Sequence, residues 1–402
     1  MSLILVLSLL LLTAAGIISY WNYRISLILS FGVLIIAMEF GGLSTLICFL
    51  AILNIVSLIA IRKNQIVGTD YAMIGLMSIA TIYAFITSDL AELLVLFVVV
   101  SVPTYLIVMV DEDRLNVDVG IKYIAFMVIA TILFILGSAM LYLGYSWNNS
   151  TLYLLGFVIF LIGLAMEVGI APFHEWVPDV FANANPIAIS IIASLAKFVP
   201  FIVAFKILML TATSVTASAL LILALISAIS MFVGNIGALT TQKPARILAY
   251  STIANMGYVL AAFSAIMAPR ELVYFAIAGG LMQLFVNAFG KVGFFNAVKG
   301  GSSTISNYIL SFSFIGLPPL MGFWSKFFII YALVFSNYLW LAILLVINSA
   351  ISIPYYLRLV RVAKASTSSL LTNTVATITA LAMLITLIPP IWFVDLVMEV
   401  FK

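Results

Sequence analysis

Three lysines in this sequence sit where a charge is costly. Lys197, Lys291 and Lys326 each lie inside a long apolar run, clear of its ends. An ammonium at the centre of a membrane span costs about 2.5–3.5 kcal/mol on the lenient insertion scale. A single lysine of this kind often snorkels to an interface or closes a structural pair. Three of them favour a functional role. Burial favours the neutral amine, whereas a nearby carboxylate favours the charged form. A lysine held between those influences changes protonation when a neighbour moves, and a proton relay needs that property.

Acidic candidates are fewer. Glu167 lies in Ala165-Met166-Glu167-Val168-Gly169, and His174, the only histidine, follows seven residues later. On a continuous helix that spacing puts the two on a similar face. A lone histidine is more often a structural hydrogen bonder than a ligand. Glu92 sits just inside another apolar run. Asp111, Glu112, Asp113 and Asp118 read as a solvated loop cluster, and Glu175 and Asp179 as loop caps or anchors. There is no glycine-rich nucleotide loop, Walker sequence or histidine pair for haem. Cys48 is the only cysteine, which excludes an intrachain disulfide and a cysteine-based metal or iron–sulfur site. These residues imply neither a metal nor a bound cofactor in this chain.

The elements that position these groups follow from composition. Of 402 residues, 65% are hydrophobic and 8% charged, against roughly 45–50% and about 25% in a soluble domain. The apolar runs recur along the whole chain, each near the roughly 20 residues that cross a hydrocarbon core. The expected fold is an all-α integral membrane protein, since the runs lack the polar–apolar alternation of a barrel. About fourteen spans are expected, near 3–20, 25–40, 43–61, 70–88, 90–110, 119–144, 151–172, 186–211, 214–239, 246–268, 271–298, 307–335, 337–357 and 370–396. The first run lacks a basic start and reads as a span rather than a signal peptide.

Positive charge tests this layout. Loops after odd-numbered spans hold eleven Lys and Arg: Arg24, Arg62, Lys63, Arg114, Lys122, Lys243, Arg246, Lys299, Arg358, Arg361 and Lys364. Loops after even-numbered spans hold only Lys206 and Arg270. The bias makes the odd loops cytoplasmic and both termini external. A net charge of +3 so distributed carries no signal for nucleic acid.

Two spans are interrupted. Gly169 to Trp176, with Pro172, breaks the seventh, and Gly316 to Trp324, with Pro318 and Pro319, breaks the twelfth. Proline removes a helix hydrogen bond, and such a break inside a membrane must face protein or water. The breaks lie five spans apart. They fit two inverted five-span repeats, spans 4–8 and 9–13, each with a broken helix. The chain then divides into residues 1–65, a first repeat at 70–211, a second at 214–357, and a last span in 370–402.

The same residues carry a resemblance to a known family. Ala171-Pro172-Phe173-His174-Glu175-Trp176-Val177-Pro178-Asp179-Val180-Phe181, Leu248-Ala249-Tyr250-Ser251-Thr252-Ile253-Ala254-Asn255-Met256-Gly257-Tyr258, and Gly316-Leu317-Pro318-Pro319 through Lys326 resemble the antiporter-like membrane subunits of complex I. Those subunits are similar to subunits of Mrp antiporters and membrane-bound hydrogenases. The span count and Lys326 look most like the N-type subunit. The resemblance implies a buried polar axis in which Lys197, Lys291, Lys326 and Glu167 transfer protons. His174, Glu92, Pro172 and Pro318 would serve the pathway or the breaks. Two positions depart from the family pattern. Its fifth-span glutamate falls on Val98, and its seventh-span lysine on Glu167, so Glu167 pairs here with Lys197. Near Lys291, Asn287 and Gln283 replace histidines often found in the family.

The implied function is proton translocation as a non-redox subunit of a complex I-type quinone oxidoreductase, a translocase of the respiratory chain. The implied setting is a prokaryotic plasma membrane. Partners would be other membrane subunits and a hydrophilic redox arm, which would hold the quinone site and the iron–sulfur clusters. Two alternatives stand beside it: a structural subunit without its own full proton path, and an Mrp-type cation/proton antiporter subunit.

Overall fold

The computed structural model describes residues 3–61, 69–111, 115–363 and 369–401, and all regular structure there is helical. The first helices are α1 (Leu3–Ile18), α2 (Tyr23–Ala37), α3 (Gly42–Ile61), α4 (Thr69–Ile86), α5 (Leu90–Ile107), α6 (Val117–Ser146) and α7 (Ser150–Val168). Next come α8 (Trp176–Asn183), α9 (Pro186–Ser194), α10 (Phe198–Leu210), α11 (Thr216–Thr240), α12 (Pro244–Ala262) and α13 (Arg270–Gly300). The last are α14 (Thr304–Ile315), α15 (Met321–Phe335), α16 (Leu339–Val362), α17 (Leu370–Ala382) and α18 (Ile391–Val400). Among the described residues, eleven helical segments are long and apolar enough to cross a membrane, while α1, α14, α15 and α17 are shorter apolar helices.

Side chains that cap free N–H groups set many of the starts. Asn22, Asp89, Asn116, Asn149, Asn185 and Ser303 each accept a backbone N–H in the first turn that follows. The close expected spacing of the second and third spans is real. Only a 3₁₀ turn, Met38–Phe40, and Gly41 separate α2 from α3.

The structure corrects three expected spans. The seventh ends at Val168, not near 172. The eighth is not continuous: a 3₁₀ segment, Leu195–Lys197, divides α9 from α10. Pro200 explains this, because its ring clashes with the carbonyl four residues back, at Ala196, and leaves it without a donor. The last expected span is split as well. α17 stops at Ala382, and α18 begins after Pro389-Pro390.

Hydrogen bonds sort the loops onto two faces. On one, Asn116 donates to the Asn183 carbonyl and Asn185 to Asp111. Lys122 and Arg246 both pair with Asp179 there. Arg358 donates to the carbonyls of Leu239 and Thr241, and Ser369 to that of Gly300. All of these belong to loops after odd-numbered spans. On the other face, one cleft gathers Ser88, Lys206, Arg270 and Phe401, from the loops after even-numbered spans and the end of α18. Asp179 anchors its loop as expected. The hydrogen bond from Lys122 holds its carboxyl below the ordinary carboxylate range, with Arg246 adding to the effect.

The segments that carry Lys197 and Lys291 are among the most enclosed, whereas α15, with Lys326, turns Phe327 and Phe335 outward. The Pro186–Leu210 segment is wholly buried, and α12 and α13 nearly so. Outward-facing Ile121, Ile129, Ile132 and Leu136 on α6 present apolar side chains suited to lipid. Trp21 and Trp147 stand exposed just beyond the C-terminal ends of α1 and α6, as interfacial aromatics do.

On the charge bias the odd-loop face is expected to be cytoplasmic. Arg361 is exposed there, while Lys364, like Arg62, Lys63, Glu112, Asp113, Arg114 and Lys402, lies outside the described residues. Cys48 is buried. A cysteine introduced by Arg361→Cys is therefore expected to react with an impermeant maleimide in inside-out vesicles and not in intact cells. Labelling from outside intact cells would reverse the assigned orientation.

Candidate functional site

Two helices end in the same way deep in the protein. α7 stops at Gly169, with φ of 77°, and α14 at Gly316, with φ of 92°. In each case the next residue sends its N–H five residues back, Ile170 to Ala165 and Leu317 to Phe312. This is the glycine C-terminal motif, and it leaves carbonyls of the last turn free. A helix C-terminus also carries partial negative charge. An ammonium placed there has acceptors without a carboxylate.

Lysines fill both positions. The Lys197 Nζ donates to the main-chain oxygen of Glu167 at 3.0 Å. The Lys326 Nζ donates to the carbonyls of Phe314 at 2.8 Å and Ile315 at 3.1 Å. Lys291, on α13, donates to the Leu248 carbonyl at 2.6 Å and to Ser251 Oγ. These lysines are 2%, 5% and 0% exposed respectively, so water cannot satisfy them from outside the fold. Each also faces an aromatic ring: Trp176 at 5.0 Å from Lys197, Tyr258 at 4.8 Å from Lys326, Phe314 at 5.2 Å from Lys291. Phe314 thus serves two lysines, its ring one and its carbonyl the other.

The structure brings Glu167 to Lys197, through the backbone of the glutamate rather than its carboxylate. One carboxylate oxygen, Oε1, accepts from Ser101 Oγ at 2.9 Å, and the other, Oε2, is buried without a protein partner. Ser101 escaped the sequence reading. It lies one turn beyond Val98 on α5, so α5 still reaches the site, with a hydroxyl in place of an acid. Asn287 donates to the Ala193 carbonyl at 2.8 Å, just before the kink that carries Lys197. This links α13 to the first site.

Other candidates stay outside this axis. α7 ends before His174, so Glu167 and His174 do not share a helix face as the seven-residue spacing implied. His174 is partly exposed and contacts the Pro172 carbonyl through Nδ1 at 3.2 Å. Glu92 lies in the first turn of α5, at its even-loop end, and accepts from Thr87 and Tyr83. Pro172 and Pro318 lie within the breaks, but on their exposed side. Among the described residues no group of three or more His, Cys, Asp or Glu side chains is placed to hold a metal.

Fold and site together define a polytopic membrane protein with three buried lysines, two of which rest on the ends of broken helices. The model of the family described as NADH:quinone oxidoreductase/Mrp antiporter, transmembrane, matches residues 87–352, and the chain belongs to that family. NADH-quinone oxidoreductase subunit N of Neisseria gonorrhoeae is 29% identical over an alignment of 327 residues that covers 73% of this chain and 66% of that protein. The fold resembles a chain of Thermus thermophilus respiratory complex I, with TM-score 0.76, 21% identity and 97% of each chain covered. It also resembles a chain of the Mrp complex from a Dietzia species, with TM-score 0.82, 15% identity, and 100% of this chain and 97% of that one covered.

Two expectations follow from the geometry. Glu167→Gln keeps the carbonyl on which Lys197 rests, so the variant should assemble and lose proton movement. Failure to assemble would mean that the carboxylate is structural. A Cβ on Gly322 would lie 1.7 Å from the Ser313 carbonyl oxygen. Gly322→Ala should therefore destabilise the second break by about 1–3 kcal/mol, the usual scale of overpacking. An unchanged thermal transition in detergent would show that the break relaxes freely.

Proposed function

We propose that this chain is a proton-translocating, antiporter-like subunit of a complex I-type quinone oxidoreductase in a prokaryotic plasma membrane. It carries no redox centre in this reading. Quinone and iron–sulfur chemistry belong to partner subunits, which comprise other membrane subunits and a hydrophilic arm. Fourteen crossings fit the helices if α1, the broken pair α14–α15 and the pair α17–α18 are added to the eleven longer segments. The matching ends of α7 and α14 support two inverted repeats, 70–211 and 214–357, flanked by 1–65 and 370–402. With an even number of crossings both termini lie on one side, which the charge bias makes the external one.

The observation that carries the proposal is the seating of Lys197, Lys291 and Lys326. Each is buried on uncharged acceptors, with an aromatic ring beside it. A structural lysine is usually held by a carboxylate partner, because an unpaired buried charge is expensive. A carbonyl accepts from an ammonium and, more weakly, from a neutral amine. The lysine can then gain or lose a proton while keeping its hydrogen bond. Glu167, beside Lys197, adds an acid to the first half.

Lys291→Met and Lys326→Met keep the bulk and remove the charge. Each variant is expected to assemble, with proton uptake into sealed vesicles at least ~10-fold slower, about 1.4 kcal/mol on the barrier. Electron transfer should fall with it where the two are tightly coupled. Normal assembly with parental proton uptake in both variants would replace this reading with that of a structural subunit.

A further inference from the structure

Two side-chain amides, of Asn255 and Gln283, lie in the row of polar groups that leads from Lys291 by way of Ser251 to Ser325, the residue before Lys326. Lys291 donates to Ser251 Oγ. One turn further along α12, Asn255 donates to the Ser251 carbonyl at 2.6 Å and to the Tyr356 hydroxyl at 3.2 Å. Gln283, on α13, donates to Asn255 Oδ1 at 2.6 Å. Ser325 donates to Gln283 Oε1, and Lys326 is the next residue. Gln283, Asn255 and Ser325 are all buried.

This chain runs across the membrane, not only along it. Lys291 bonds at Leu248, near the odd-loop end of α12, and Lys326 lies over Tyr258, ten residues on. At 1.5 Å per residue the two contacts are about 15 Å apart along the helix. The amides fill the interval.

Hydroxyls, water, carboxyls and imidazoles take a proton on one side and release one on the other. A side-chain amide does not, because its oxygen is a very weak base and its N–H a very weak acid. Exchanging the oxygen and nitrogen by a flip changes nothing in this respect. We infer that Gln283 and Asn255 form a proton barrier between Lys291 and Lys326, passed only when Gln283 swings off its partners and water takes its place. The barrier rests on the proton-carrying reading of the two lysines, and it adds to that reading the group that prevents them from short-circuiting.

Passive proton conductance tests it. Liposomes containing the purified complex are given a valinomycin–potassium potential, and internal pH is followed with a trapped dye. Gln283→His and Gln283→Glu place a relay-competent group between Ser325 and Asn255, and each should raise conductance several-fold. Gln283→Met has similar bulk but relays nothing, and should stay at the parental level. Adding Lys326→Met to Gln283→His should abolish the increase. The barrier is refuted if His and Glu leave conductance unchanged, if Met raises it as much as they do, or if the leak survives loss of Lys326. Those outcomes leave the proton-carrying reading standing. That reading falls separately, and the barrier with it, if Lys291→Met and Lys326→Met pump at the parental rate.

Discussion

A buried ammonium must find acceptors, and for Lys197 and Lys326 helix ends supply them. A carbonyl inside a continuous helix is already used by its own ladder, and the one on which Lys291 rests, at Leu248, is shared in that way. Ending α7 at Gly169 and α14 at Gly316 frees carbonyls inside the protein. The residues that make the breaks and the residues that carry the charge therefore form one unit. Replacing Gly322 would force α15 away from α14, and Lys326 would lose the carbonyls of Phe314 and Ile315. The enclosed setting of α9, α10, α12 and α13 follows as well, since lipid beside these groups would satisfy none of them.

The shared use of Phe314 ties two lysines to one helix turn. Its ring lies against Lys291, and its carbonyl accepts from Lys326. The ring is also stacked on Tyr356, at 4.9 Å and nearly parallel. A displacement of the end of α14 would change the surroundings of both lysines together. Coupling by this route needs no direct contact between the charges. It needs only that one packed turn have two positions, the usual way local packing carries information between sites.

Much of this was legible in the sequence because the costly features are compositional. Lysines inside apolar runs, and glycine–proline clusters within them, stand out against a background that excludes both. The kink at Leu195–Lys197 was equally available. Pro200 announced it three residues beyond Lys197, but an otherwise unbroken apolar run concealed it. The split before α18 was marked by Pro389-Pro390 in the same manner. Ser101 could not be read, because a serine in a span bonds its own helix as readily as a distant carboxylate. Only the approach of α5 to α7 shows which it does. The His174 spacing misled for the opposite reason. It assumed a helix that Gly169 ends.

The two halves of the axis differ in a way that bears on how charge moves. Three lysines and one glutamate are buried in the interior, so full ionisation would leave net positive charge where its energy is high. Glu167 offsets this only near Lys197. Its Oε2 lacks a protein partner, which leaves room at that oxygen for a proton or a water. Around Lys291 and Lys326 the first neighbours are carbonyls, hydroxyls and rings. Adding a proton there raises the total buried charge, whereas passing one from lysine to lysine leaves the total unchanged. On the proposed reading, transfer along the axis is therefore the cheaper event, and uptake or release at its ends the dearer one. An axis built this way needs a barrier between its lysines, because without one the cheap step would run whether or not the costly steps were driven.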